Sequence, residues 1–264
     1  MPPCGCIKKR TRGGGGSSSR NPVAPAGGRD KLRIDMERKK RRFIIGFLLF
    51  SCGFVGLVRG DADVIQLPDP SFSSDISVEE ALNARKAVRS FLDEPIEIGD
   101  LSQLLWAACG KKVDGVSGAS RTIPSAGALY PIKVYAIVGN VSGIAPGIYL
   151  YNWRNHTVEL VKSGDYRESV SKAGLFQRFI RKAPLIMVVT AVSGKTSLVY
   201  GNRGSTRYVH MEAGHSAQNI YLQAAALNLG TVTIGAFDDD KLKAILEIRR
   251  EETLYIMPVG KPGR

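Results

Sequence analysis

The sequence predicts an α+β fold with a small mixed, mainly antiparallel sheet flanked by helices, and three observations predict it. Short apolar segments of strand length recur with turn residues between them. Apolar positions at helical spacing, several with recognisable caps, separate those strands in no regular alternation. The composition, 44% hydrophobic and 23% charged over 264 residues, is that of a chain with a core, not of a disordered, collagen-like or disulfide-framework protein. No internal repeat organises the chain.

Each element has a local reason. Ser77 and Glu80 form a capping box, and Val78, Ala81, Leu82, Arg85, Val88 and Arg89 follow at helical spacing, so a helix is expected to about Phe91. Pro95 ends it. A second helix from about Asp100 turns Leu101, Leu104, Leu105 and Ala108 inward and stops at Gly110. A Gly/Ser-rich loop leads to a strand over Ile132 to Val138, and a hairpin follows with arms Ile148 to Trp153 and Thr157 to Val161. Helices are expected over Tyr166 to Ala173 and Leu175 to Arg181, then a strand from Leu185 to Val192 after Pro184. The longest helix is predicted over Arg207 to Leu229 with Gly230 as its C′ residue. A strand at Thr231 to Ile234, a helix near Asp239 to Leu246 and a strand at Leu254 to Val259 complete the order.

Charge divides the chain. Residues 1–60 hold 14 Lys/Arg against three Asp/Glu, so of the net +13 only +2 belongs to residues 61–264. No basic run with interleaved aromatics lies in that remainder, which argues against nucleic-acid binding. Residues 1–35 are a Gly/Ser/Pro/Arg-rich extension too poor in apolar groups to offset chain ordering. Residues 36–62 then place a basic stretch, Arg38 to Arg42, before the apolar run Phe43 to Val58 and the small residues Gly60 and Ala62. That is the layout of a signal peptide, and Met36 would itself serve as an ordinary start. Uncleaved, residues 43–58 would anchor the protein at a membrane; either way an exported or anchored location is expected. Residues 63–264 form the main domain, which holds one cysteine, Cys109, within an apolar helix, where a small buried residue is the simpler reading than a reactive thiol.

Four clusters carry chemistry. Arg85 and Arg89, four apart late in the first helix, share a face, so with Lys86 beside them they can converge on a phosphate, or they simply complement the helix dipole. Pro124, Ser125, Ala126 and Gly127 form a small-residue loop that lets backbone amides and a hydroxyl approach a flat ligand, or an ordinary turn. The long helix begins near Arg207 and Tyr208; His210 and His215 are five apart and do not make a zinc pair, so no metal is expected. Its small residues fit a close intrachain helix contact or a dimer interface equally well. Gly235 and Ala236 end a strand, and Lys261 and Arg264 add charge near the chain end.

Taken in order, ARKAVRSF (84–91), PSAGALYP (124–131), PGIYLYN (146–152), YGNRG (200–204), RYVHMEAGHSAQNIYLQAAALNLGT (207–231), IGAFDD (234–239) and LYIMPVGKP (254–262) resemble the nitroreductase superfamily of FMN enzymes. The resemblance is to its SagB-type branch, which includes thiazoline and oxazoline oxidases. It implies a nitroreductase-like fold in an intertwined homodimer with FMN at the interface. It further implies that Arg85, Lys86 and Arg89 contact the flavin phosphate and ring edge, with Lys86 and Ala87 standing where the family has Arg and Ser. Pro124, Ser125, Ala126 and Gly127 would lie beside the isoalloxazine, the amides of Gly235 and Ala236 near its N5, and Lys261 and Arg264 at the phosphate. Arg207 and Tyr208 fall near the family's catalytic Lys-Tyr pair, though Arg is a poor general base, and Tyr200 and Arg203 are candidate contacts for a small-molecule or peptidic substrate. The implied function is an FMN-dependent oxidoreductase passing a hydride between a donor and an acceptor; the alternatives are an azoline dehydrogenase of a modified-peptide pathway and a non-catalytic flavin-binding protein.

Overall fold

The structure is a computed structural model and describes residues 63–112 and 121–263. The Gly/Ser-rich extension, the signal or anchor segment and Arg264 lie outside the described residues. Among the described residues no helix is long and apolar enough to cross a membrane.

A seven-stranded sheet is the centre of the molecule. Its strands are β1 (Val64–Gln66), β3 (Ile132–Val138), β5 (Gly147–Asn152), β6 (Thr157–Ser163), β7 (Leu185–Ala191), β8 (Gly230–Thr231) and β9 (Glu252–Gly260). They lie in the order β1-β6-β5-β3-β7-β9-β8, and every neighbouring pair is antiparallel. Among the described residues, parallel pairing is confined to β2 (Ile96–Glu97) with β4 (Val141–Ser142) and to a single bridge between Ala87 and Thr231.

The period of two sorts the sheet's side chains into two cores. Val134, Ala136, Leu185, Met187 and Val259 face one side, with α2 (Ile98–Cys109) and α5 (Val209–Ala226). Tyr135, Ile137, Ile186, Val188 and Ile256 face the other, with α3 (Arg167–Ala173) and α6 (Asp239–Leu246). Central β7 is therefore buried at all seven residues, which is why it reads as an apolar run broken only by Thr190, whose hydroxyl donates to Glu251. The remaining helices are α1 (Val78–Ala84) and α4 (Ser193–Tyr200).

Local signals hold where they are strongest. The capping box forms, with Ser77 Oγ accepting the Glu80 amide at 3.1 Å and Glu80 Oε2 accepting the Ser77 amide at 2.6 Å. The strand at 132–138, the hairpin, α2 and α6 appear where expected, and Cys109 is buried, its thiol pushed up to about 12 by burial.

Several expectations are corrected. The first helix stops at Ala84: Arg85 turns extended (ψ 131°), and Val88 donates its amide to Thr231 at 2.9 Å, so sheet-edge pairing replaces the next helical turn. Leu175 to Arg181 is not a helix, because Leu175 and Phe176 are left-handed (φ 55° and 60°) and only a 3₁₀ turn forms at Ile180–Lys182. The long helix is shorter than its apolar pattern, preceded by a π-turn at Gly204–Tyr208, and Asn228 (φ 56°), not Gly230, is the left-handed residue after it. Gly230 is in β8, where a Cβ would stand 2.6 Å from Val88 Cγ2. The strand at 231–234 is reduced to β8 and one bridge, Ile234 with Ile256. Sequence reading missed α4, whose apolar residues show no helical face.

Candidate functional site

Helix α5 collects the predicted segments at two places along its length. Near its start, Ser125 donates its hydroxyl to Glu212 Oε1 at 2.9 Å and Ala126 donates its amide to the same oxygen at 3.0 Å. The loop then passes through left-handed backbone at Gly127, Ala128 and Tyr130 (φ 59°, 52° and 48°), a conformation costing non-glycine residues about 1–2 kcal/mol each. The base of this loop is held by Arg121, whose Nη1 donates to the Ile132 carbonyl at 3.0 Å and whose guanidinium lies 4.2 Å from the Trp153 ring centre and 5.1 Å from that of Tyr130.

Tyr200 belongs to this same group. A Cβ on Gly127 would stand 2.7 Å from the Tyr200 hydroxyl, and the Tyr200 ring meets Tyr208 edge-on at 5.2 Å. The structure thus joins the Ser125–Gly127 loop to Tyr200 and Tyr208. Pro124, Arg203 and Arg207 are exposed around it.

Farther along α5, Tyr221 organises a second group. Its hydroxyl accepts the Thr233 amide at 2.9 Å while Arg85 lies 5.2 Å over its ring. Arg85, Lys86, Tyr221, Thr231 and Pro262 line one cleft of about 200 Å³. Gly235 and Ala236 continue exposed from Thr233, with open space where a Gly235 side chain would be. The Ala236 carbonyl accepts from Gln177 Nε2 at 3.3 Å. The segment after Arg85 also pairs with the C-terminal strand: Leu92 donates to the Lys261 carbonyl at 3.0 Å, and Gly263 to the Ser90 carbonyl at 2.8 Å. Lys261 itself is ion-paired with Glu94 at 2.7 Å.

One predicted relationship is not what the structure shows. Arg85 and Arg89 share no helical face, since the helix has ended; Arg89 lines a separate cleft with Arg167, Arg181 and Lys182. The Ser125 loop and the Arg85 group are anchored at different points of the same helix. Their anchors, Glu212 and Tyr221, are nine residues apart on α5, about 14 Å along the axis and half a turn around it.

Glu212 and Tyr221 are the residues that sequence reading left unassigned. Their signal was there: they lie at opposite edges of the buried face of α5 that Val209, Ala213, Ser216, Ala217 and Ile220 form, and a carboxyl on such a face needs partners. Burial holds the Glu212 carboxyl above the usual carboxylate range, against the opposing hydrogen bonds from Ala126 and Ser125. Burial likewise lowers Lys195 on α4, with Arg121 and Lys133 adding to the effect.

The comparisons with known proteins agree with this architecture. The chain is 42% identical over 202 residues to the nitroreductase-type protein MJ1384 of Methanocaldococcus jannaschii, covering 76% of this chain and 98% of that one. It is 23% identical over 217 residues to the trifolitoxin operon protein TfxC of Rhizobium leguminosarum bv. trifolii, spanning 76% of this chain and 60% of TfxC. Among solved structures, a nitroreductase-type protein of Ralstonia eutropha JMP134 superposes with a TM-score of 0.66 at 31% identity, over 76% of this chain and 90% of the other. Residues 82–261, from the end of α1 through β9, match the nitroreductase family, and with both α5-anchored groups inside that span the chain belongs to this family.

Proposed function

We propose that the protein is an FMN-dependent oxidoreductase that works as a homodimer, each flavin held by the Arg85 group of one copy and the Ser125 loop of the other. The observation that carries this reading is the separation along α5: the anchors of the two halves, Glu212 and Tyr221, stand about 14 Å apart along the helix, and a second copy would supply the missing half. Exposed apolar side chains beside the Ser125 group support it. Leu198 is 89% exposed, Val199 60% and Met211 54%, apolar surface that a second copy would cover.

The residues present suit the cofactor. Arg85 and Lys86 offer charge to a phosphate, Gly235 leaves open the space next to an exposed backbone, and the left-handed Gly127 brings main chain to the surface of its loop. When bound, FMN supplies two-electron chemistry at N5, and the protein's part is to orient it and tune its electronics. The amides of Gly235 and Ala236 would face N5, with Pro124, Ser125, Ala126 and Gly127 beside the ring and Tyr200 and Tyr208 at its open side. Arg203 and Arg207, both exposed, would meet an anionic part of a small-molecule or peptidic substrate. Lys261 would reach the phosphate only by leaving Glu94.

Likeness to the trifolitoxin operon protein TfxC and to the trifolitoxin-processing protein TfxB favours azoline dehydrogenation as the second reading. The apolar segment at residues 43–58 is the basis for proposing an exported or membrane-anchored enzyme; cell fractionation with N-terminal sequencing tests that separately.

The decisive experiment is the visible spectrum and solution mass of the purified chain, followed by reduction with a donor and reoxidation with an acceptor. A yellow protein with one FMN per chain and the mass of two chains is expected. A colourless protein that refuses FMN overturns the cofactor, a flavin-loaded single chain overturns the shared site, and bound flavin inert to every donor leaves a binding protein.

A further inference from the structure

Glu212 is unusual on α5. It is 2% exposed, no Lys or Arg pairs with it among the described residues, and its Oε2 is buried with no hydrogen-bond partner. Such a carboxyl is costly to keep, so its remaining contacts must matter to the structure that retains it. Those contacts are all with one loop. Oε1 takes both the Ser125 hydroxyl, at 2.9 Å, and the Ala126 amide, at 3.0 Å. Ser125 Oγ in turn accepts the Tyr130 amide at 2.8 Å, closing the loop across its left-handed residues.

This arrangement changes the part played by Ser125. A hydroxyl has one hydrogen to donate, and here it goes to Glu212, so none is left for a ligand. The segment that remains to face outward is the main chain around Gly127, whose position is set by anchors on both sides of it.

We propose that Glu212 is the positioning residue of the flavin site: through Ser125 and Ala126 it latches the 124–130 loop in its left-handed form, and Ser125 serves that latch and not the cofactor. The inference rests on the FMN reading above for its functional consequence, while the latch itself is a property of the chain without cofactor.

The test uses the full chain as wild type, Glu212→Gln, Glu212→Ala, Ser125→Ala and the Glu212→Ala/Ser125→Ala double variant. Amide hydrogen exchange at Ala126 and Tyr130 is read without cofactor, and FMN affinity is read by quenching of flavin fluorescence. Glu212→Gln keeps an oxygen acceptor in place and is expected to retain protection and to bind FMN within about threefold of wild type. Glu212→Ala is expected to expose the Ala126 amide and weaken FMN binding at least about tenfold. Ser125→Ala should free the Tyr130 amide, and adding it to Glu212→Ala should cost nothing further, as expected of two groups acting as one unit.

Unchanged protection in both Glu212→Ala and Ser125→Ala would overturn the latch, and so would fully additive losses of affinity, which would make Ser125 a ligand in its own right. Wild-type protein that binds no FMN would sink the functional reading alone, with hydrogen exchange still deciding the latch. Should Glu212→Ala fail to fold, exchange in Ser125→Ala and Glu212→Gln decides the matter: Tyr130 protection surviving in Ser125→Ala, or protection lost in Glu212→Gln, rejects the proposal.

Discussion

The Tyr200 hydroxyl lies 2.7 Å from the point where a side chain on Gly127 would begin, so the end of α4 closes directly over the loop that Glu212 anchors. Position 127 is left-handed as well as crowded. Gly127→Ala should therefore lose about 1–2 kcal/mol of stability in chemical denaturation from backbone strain, with a further contribution from Tyr200. Adding Tyr200→Ala should relieve only the crowding. Full recovery in the double variant would mean that the left-handed backbone carries no cost.

Gly230 tests the pairing that ended α1 early. The three atoms nearest an added Cβ all belong to Val88, at 2.6–2.9 Å. Gly230→Ala is expected to destabilise by about 1–3 kcal/mol, as overpacked cores do. Val88→Ala in the same chain should cost less than the two changes summed, because one makes room for the other. Simple additivity of the melting shifts would place residues 85–91 somewhere other than against β8.

The buried carboxyl of Glu212 sets a direction for pH dependence. Its folded value is raised, so the folded chain holds this proton more tightly than the unfolded chain does. The contribution is complete below the unfolded value of about 4.3 and is lost as pH rises through the folded one. Glu212→Gln, which does not titrate, should gain on wild type as melts are taken from pH 4 to pH 8. A constant difference across that range would show that burial does not shift the group.

His156 works in the opposite sense. The Ser102 hydroxyl gives its hydrogen to the Pro68 carbonyl at 2.6 Å, so Nε2, 2.7 Å from Ser102 Oγ and 2.9 Å from that carbonyl, faces two acceptors and carries the hydrogen, and Nδ1 accepts from the Tyr151 hydroxyl at 2.8 Å. Burial lowers the ring's pKa, with the Pro68 carbonyl opposing. Stability from this contact is present above the unfolded value of about 6.5 and lost as pH falls through the folded one. Melts of wild type and His156→Gln should therefore converge between pH 7 and pH 5. Convergence on the alkaline side instead would reject the assignment.

How much of this was legible beforehand depends on the range of the interaction involved. Ser77 with Glu80, the period-two strand at 132–138, the apolar run at 185–191 and the hairpin turn after Trp153 are all decided within about ten residues, and each appears in place. The family, too, was legible from ordered short segments, since each is a local string. Residues 85–91 carried a good helical pattern, yet Thr231, far along the chain, offered the Val88 amide an alternative partner. The helix expected at 175–181 and the end of the long helix were undone locally instead, by left-handed residues at Leu175, Phe176 and Asn228.

By itself, then, the sequence determined which faces are apolar, where most helices and strands lie, and which family the segments belong to, because side-chain periodicity and capping are properties of neighbours. Only the tertiary structure decided the strand order, the separation of Arg85 from Arg89, and the division of the candidate site between Glu212 and Tyr221. Those depend on which distant backbone groups satisfy one another's hydrogen bonds, and a buried donor or acceptor left without a partner costs too much for local preference to prevail.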